Sequence, residues 1–445
     1  MMIGSASKRA AWSALSVGLL TVTMPAGPVA AQNVTGGGAE PGFTLFEVYR
    51  LAGERNPRLA ATRSLADAVA ARQPGASVLP DPSLQLGVMN LSLPSLNADM
   101  ASSMAPSVQL MQMVPFPGKL GLSGRIAEKS TAMAQAGAEE AWWEVRSEAA
   151  MAFYELYEAD RQIAVMRETL LLLEDFGQIA NAMYSAGEGR QSDVLRANVE
   201  VARMDAEIRR MEAMRRAAAA RLNGVLNRPA DTPVPTPELG TLPLELPVAD
   251  TLLAWASATR PMLERSRLGV EQAGAQRELA RKEIWPDLIV GVQYGQRPGD
   301  MGTERMGSAM LGFSLPIFAS KRQLRMRDEA AAMEQMARAE LTEMQARVGA
   351  RIGELLAGIE RDRTLVHLYR TDVLPQADAN VESAFSSYRV GSVDFMTLVD
   401  ARMTVNQYEQ ELYALLADYG RTLADLEMTV GRELPRTALT LTEDR

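Results

Sequence analysis

At 445 residues the chain has room for two or three ordinary domains or for one elongated repeat architecture. It contains no cysteine, which excludes disulfides, thiolate metal centres, a Cys nucleophile and an N-terminal lipid on Cys. A single histidine, His367, argues against triad or zinc chemistry, and a formal charge of −9 argues against nucleic acid as a partner.

The first elements in chain order are those of an export signal. Lys8 and Arg9 precede the apolar run "AAWSALSVGLLTVTM", and small residues ending at Ala31 follow. This reads as a secretory signal over 1–31, since the run is short for a membrane-spanning helix of ~20 residues. Loss of Lys8 and Arg9 makes the exported chain still more acidic. No later stretch is apolar enough to span a bilayer as a helix.

Two repeats are expected next, over 32–228 and 250–434, with a short tail over 435–445. Each opens with a helical segment holding an x-Pro step, Asn56-Pro57 and then Arg260-Pro261. Each then reaches a Pro-Asp pair, Pro80-Asp81 and Pro286-Asp287, that starts an alternating stretch. In the first, near 83–114, Leu84, Leu86 and Val88 share a face. Val108 and Leu110 oppose Gln109, Met111 and Met113. In the second, near 287–315, Leu288, Val290, Val292 and Tyr294 alternate with Ile289, Gly291 and Gln293, and Leu311 and Phe313 follow. Four strands in two hairpins are expected, of the length that crosses a bilayer as tilted β.

Long helices follow each hairpin. Gly118 to Arg228 holds no proline, and Lys119 to Tyr184 is expected as one rod of ~100 Å at 1.5 Å per residue. Its apolar positions step by seven through Trp142, Ala149, Leu156, Ile163 and Leu170, with Val145, Ala152, Ala159, Met166 and Leu173 three further on. Beyond Tyr184 the pattern resumes at Val194, Val201 and Ile208, and in the second repeat at Leu398, Val405, Leu412, Tyr419 and Leu426. Sustained heptads predict coiled-coil seams. Between the repeats, residues 229–249 hold six prolines up to Pro247 and read as an extended linker.

The two helix pairs turn at related sequences, "YSAGEGRQSDVLRA" from Tyr184 and "YRVGSVDFMTLVDA" from Tyr388, at a constant offset of 204. Gly187 and Gly391 suit a left-handed helix end, and Ser192 and Asp394 are the expected caps of the following helices. Gly187 and Gly189 form a turn, not a phosphate loop, because no strand, third glycine or Lys-Ser/Thr accompanies them. His367, one position from an apolar seam, is expected to pack rather than ligate.

Four strands cannot close a barrel, and open edges are not tolerated in lipid. Either several copies close one barrel, three of them giving twelve strands, or the hairpins fold on their own helices in water. Three function classes follow: a passive outer-membrane exit duct, a periplasmic adaptor of helical hairpins, and an exported enzyme. The last lacks a convergent acid–base group, so no catalytic residue is assigned and no cofactor is expected.

The signal, the duplication, the hairpins, the long coiled coils and the paired Tyr-x-x-Gly turns together resemble the TolC-like outer-membrane efflux family. "LPDPSLQLGVMN" and "QMVPFPGKL" further resemble its heavy-metal branch. The resemblance implies a mainly α homotrimer with a 12-stranded transmembrane barrel in outer-membrane lipid and helices reaching into the periplasm. It also implies a periplasmic adaptor and an inner-membrane pump as partners, of the resistance-nodulation-division or ABC class, the former favoured. Tyr184, Gly187, Ser192, Asp193, Tyr388, Gly391 and Asp400 fall at the family's periplasmic gate. Val393 stands where an Arg would be and Thr397 where a first Asp would be, so the Arg-centred lock is not expected. Asp400 is left as either an acidic ring or a solvated helix residue. Copper or silver is the cargo that the branch favours, with a drug or type I secretion duct as the alternative. The thioethers of Met89, Met100, Met104, Met111 and Met113 could relay such a soft ion or simply fill space.

Overall fold

The computed structural model describes residues 43–89, 105–299, 302–435 and 440–441. The expected signal segment and Met100 and Met104 lie outside these residues. The first repeat begins with α1 (Leu45–Arg55), capped by Thr44, and α2 (Pro57–Arg72). Asn56 caps α2 by accepting from the Arg58 N–H at 2.9 Å, and Pro57 takes the first helical position, where no N–H is needed. The second repeat begins likewise with α5 (Ala249–Thr259) and α6 (Pro261–Lys282).

Both x-Pro steps are tethered in the same way. Asn56 Nδ2 donates to the Val225 carbonyl at 2.8 Å, and Arg260 Nη1 donates to the Thr429 carbonyl at 3.0 Å. Donors and acceptors are each 204 residues apart, so the duplication read in the sequence is also a duplication of contacts.

The rod is one helix, α3 (Lys119–Ser185), and α4 (Gln191–Val225) returns along it. Its second-repeat counterpart is interrupted: α7 (Gln323–Leu368) passes through a widened π-turn at Tyr369–Val373 into α8 (Leu374–Arg389), before α9 (Phe395–Val430) returns. Pro375 supplies the reason. Its ring and missing N–H break the regular ladder, and a π-turn absorbs the misfit. Tyr369 packs edge-on against Tyr408 of α9 at 5.8 Å, holding the bend in place.

The heptad positions are the core. Val145, Ala152, Ala159, Met166 and Leu173 are buried, as are Leu398, Val405, Leu412, Tyr419 and Leu426. They feed three apolar clusters. One centres on Phe153, Tyr157 and Leu222; another, at the helix turns, on Leu173, Phe176, Tyr388 and Phe395; the third on Leu252, Ile352 and Leu426.

The strands β1 (Ser83–Met89), β2 (Ala105–Val114), β4 (Leu288–Gly299) and β5 (Gly302–Phe313) form one antiparallel sheet in the order β1-β2-β4-β5. The two expected hairpins are therefore joined edge to edge through β2 and β4, with Leu110 opposite Val292 and Val108 opposite Tyr294. Leu84, Leu86, Val108, Leu110, Val290, Val292, Tyr294, Leu311 and Phe313 are all exposed, and the register sets them on one face. Among the described residues no helix is long and apolar enough to cross a membrane.

The proline-rich connection is extended but strapped down. β3 (Leu242–Pro243) pairs with β6 (Thr440–Leu441), Pro237 bridges Phe43, and Tyr419 donates its hydroxyl to the Pro243 carbonyl. Leu242 and Val234 are buried, so the segment contributes to the core as well as spanning the repeats.

Candidate functional site: the paired helix turns and the strand–helix junction

The turn after α3 closes through Gly187, at φ +79°, with the Gly187 N–H donating to the Tyr184 carbonyl at 3.0 Å. The turn after α8 closes through Gly391, at φ +72°, with the Gly391 N–H donating to the Tyr388 carbonyl at 2.9 Å. A side chain is strained at such angles, which is why glycine recurs at the same offset.

The two tyrosines part company. Tyr388 is buried and packs edge-on against Phe395 at 5.5 Å, whereas Tyr184 is exposed. Burial, and then the nearby Asp193 carboxylate, raise the Tyr388 hydroxyl above the ordinary tyrosine value. Phe176 stacks on Phe385 at 5.7 Å just behind. The turns are thus neighbours, since residues of both share one apolar cluster.

Capping differs from the expectation at one turn. Asp394 caps α9, accepting from the Thr397 N–H at 3.0 Å and the Thr397 hydroxyl at 2.6 Å. Those bonds hold its carboxyl below the usual range. Ser192 does not cap α4. It lies inside the helix and donates to Asp193 Oδ1 at 3.3 Å, while Arg190 occupies the cap position without a side-chain bond. The offset of 204 aligns Arg190 with Asp394, so the repeat itself carried the signal for the true cap position.

Val393, in the position expected to lack the locking Arg, packs against the apolar cluster at the turns. Thr397 is engaged with the Asp394 cap. Asp400 is exposed, and its carboxylate has no partner among the described residues; only its backbone carbonyl accepts, from the Thr404 hydroxyl at 2.8 Å. One helical step away lies a layer that the sequence reading missed. Arg402 is buried, donates to the Thr169 hydroxyl at 3.0 Å and pairs with buried Glu409 at 3.5 Å. The signal was present: Arg402 and Glu409 repeat at seven residues, each four beyond a heptad apolar position.

At the other end of the helices, the "PFPGK" segment and the second Pro-Asp pair form one junction. Lys119 is buried and donates to Asp287 Oδ1 at 2.8 Å, the Trp285 carbonyl at 3.2 Å and Glu283 Oε2 at 3.3 Å. The Phe116 N–H also donates to Asp287 Oδ1, at 2.8 Å, and the Phe116 ring stacks on Trp285 at 5.4 Å. Lys282 donates to the Pro117 carbonyl at 3.1 Å. This clamp fixes where β2 becomes α3 against where α6 becomes β4.

Of the methionines singled out, Met111 and Met113 share the sheet face opposite the exposed apolar one. Met89 pairs by its backbone with Ala105. Met111 and Met310 flank Gly291 on that face, Met310 being a neighbour the sequence reading did not name. Among the described residues no group of His, Asp and Glu side chains is arranged to hold a metal ion. His367 is exposed beside an open groove lined by Leu244, Arg363 and Arg370, so the packing expected of it is not seen.

Residues 252–432 match the family model described as outer membrane efflux protein. No curated protein sequence matches the chain. Among solved structures, the outer membrane protein VceC of Vibrio cholerae is similar at 16% identity, with a TM-score of 0.74 over 87% of this chain and 96% of that one. The open state of the MtrE outer membrane channel of Neisseria gonorrhoeae is similar at 18% identity, with a TM-score of 0.72 over 89% and 91%. CusC is similar at 14% identity, with a TM-score of 0.75 over 87% and 92%. The matched family and fold are those of channels, not enzymes. The chain therefore has the fold of outer-membrane channels, and the sequence of its second repeat is of the outer membrane efflux type.

Proposed function

We propose that this protein is the outer-membrane exit duct of a tripartite efflux system. The observation that carries the reading is the four-stranded sheet. It exposes a continuous apolar face, from Leu84 to Phe313, and leaves β1 and β5 as unpaired edges. Such a surface is stable in lipid once copies close a barrel, since every backbone group is then paired. Because the sheet begins and ends on antiparallel strands, any number of copies alternates correctly, and three give twelve strands. A soluble periplasmic adaptor would leave this face in water.

In this reading the export signal over 1–31 directs the chain across the inner membrane. The turns at Gly187 and Gly391 form the periplasmic gate, with Tyr184, Ser192, Asp193 and Tyr388 around it. Exposed Asp400 from each copy lines it as one acidic ring that favours cations. The partners are a periplasmic adaptor and an inner-membrane pump of the resistance-nodulation-division class, and flow is driven by the pump. The cargo is a soft cation, copper(I) or silver(I). Support comes from the "PFPGK" resemblance and from the thioethers of Met111, Met113 and Met310 on the sheet face away from lipid.

Two measurements test this. Purified protein is added to planar bilayers, where stepwise conductance is expected; solubility without detergent and silence in bilayers would refute the duct. A strain lacking the gene is then challenged with copper, silver, zinc, cobalt and a cationic dye. Sensitivity confined to copper and silver is expected, and sensitivity to the dye or to zinc and cobalt alone would refute the cargo.

A further inference from the structure

The clamp between Lys119 and Asp287 joins the end of the first repeat's hairpin to the start of the second's. The duplication copies both of its halves. Asp81 stands before β1 as Asp287 stands before β4, each directly after a proline. After β5, Pro316 is followed by Ile317, Phe318, Lys321 and Arg322, as Pro115 after β2 is followed by Phe116 and Lys119.

Within one chain these second halves cannot meet, because β1 and β5 are the opposite edges of the sheet. They are also idle. Asp81, Lys321 and Arg322 are exposed and have no ion-pair partner among the described residues. The apolar residues beside them are bare: Leu315, Ile317 and Phe318 are each about 70% exposed or more, and Val78 and Leu79 are exposed as well. Leu79 stands two before Asp81 as Trp285 stands two before Asp287, the ring that stacks on Phe116 inside the chain.

The helices carry the same incomplete symmetry. Inside the chain, Met133 of α3 lies against Gly269 of α6. The repeat counterpart of Gly269, Leu65 of α2, is 62% exposed, and Met336 of α7, next to the counterpart of Met133, is 51% exposed. One surface thus repeats the side of α3 and β2 that meets α6 and β4, and the other repeats the side of α6 and β4 that meets α3 and β2.

We propose that a second copy of this chain completes the clamp. Asp81 of one copy accepts from the Lys321–Arg322 pair of its neighbour, Phe318 covers Leu79, and Leu65 meets Met336. The contact is head-to-tail, so each copy offers one half at either edge and the ring closes without a residual site. It carries one carboxylate where the internal clamp has two, because Ser77 stands where Glu283 does. The inference rests on the oligomeric duct proposed above and adds the residues that set its register.

The absence of cysteine makes the test direct. Asp81→Cys and Lys321→Cys are combined in the full-length protein, extracted in detergent and mildly oxidised. A Gln109→Cys/Gln293→Cys pair, directly opposed across β2 and β4, serves as the intramolecular control. Covalent dimers and larger species are expected from the Asp81/Lys321 double variant and not from either single one. Charge reversal gives the second arm. Asp81→Lys, and Lys321→Glu with Arg322→Glu, each lower the heat-dissociation temperature of the oligomer, and the three together restore it. An oligomer that conducts but neither cross-links at these positions nor recovers on combined reversal overturns the clamp and leaves the duct standing. A monomer without conductance overturns the duct itself.

Discussion

Replacing Arg402 with Met tests whether the buried layer between α3 and α9 is a coupled unit. Arg402 and Glu409 are 5% and 3% exposed, and they sit between the apolar cluster at the turns and the one centred on Phe153. At their 3.5 Å separation, an effective dielectric of about 20 gives an attraction of ~5 kcal/mol. Desolvating the two ions costs several kcal/mol each, so the pair as a whole is close to neutral for stability. Breaking it is a different matter. Arg402→Met leaves a buried carboxylate without its arginine and the Thr169 hydroxyl without its donor, at a cost of ~3–5 kcal/mol. The double variant Arg402→Met/Glu409→Leu removes both charges and is expected within ~1 kcal/mol of the parent. Denaturant midpoints in detergent, at unchanged m-values, give the double-mutant cycle. Single costs under ~1 kcal/mol that simply add would refute the coupling.

Three further outcomes follow from the same geometry. A methyl group at Gly420 would overlap the ring of Tyr154, which is itself buried and packed edge-on against Phe153 at 5.4 Å. Gly420→Ala is therefore expected to cost ~1–3 kcal/mol, and adding Tyr154→Leu should return part of it; thermal unfolding checks both. Asp394→Ala should expose the first amides of α9 to hydrogen exchange and leave those of α4 unchanged. Because the Asp394 carboxyl is held below the usual range, its contribution is present above the ordinary carboxylate pKa. It is lost only as pH falls through the depressed value, so acid should fray the second turn. Burial pushes the Tyr419 and Tyr369 hydroxyls up to about 12. The neutral phenols stabilise the fold below the ordinary value of ~10, and that contribution is lost as pH rises through the raised one. Phenolate absorbance should therefore show a delayed fraction that shrinks in Tyr419→Phe, and a single ordinary step would refute the burial argument.

Periodicity and punctuation are local properties, and what they encode was legible without the fold. The heptads of α3 and α9 named residues that are now core. The glycines at 187 and 391 named the turns, and the alternation from Leu84 to Phe313 named the strands. The repeat could be read because both copies kept the same few residues at the same offset. Misreadings arose where a local rule had more than one way to be met. Ser192 is a good cap by type, yet α4 already starts at Gln191 and Arg190 holds the cap position. His367 follows the buried Val366 in α7, and the next helical step carries it to the exposed side.

Tertiary structure alone decided which of two equivalent residues does which job. Tyr184 and Tyr388 occupy the same place in the repeat, but the fold buries Tyr388 in the apolar cluster at the turns and leaves Tyr184 exposed. Likewise Lys119 finds Asp287 at 168 residues' distance because β2 and β4 pair, which no local pattern announces. Contacts within a repeat, such as the tethers from Asn56 and Arg260, are met in both copies, whereas the Lys119–Asp287 contact joins the two repeats and is met once, leaving its counterpart residues at the sheet edges. Sequence determines which side chains are offered; the closure of the sheet and the crossing of the helices determine which of them are met.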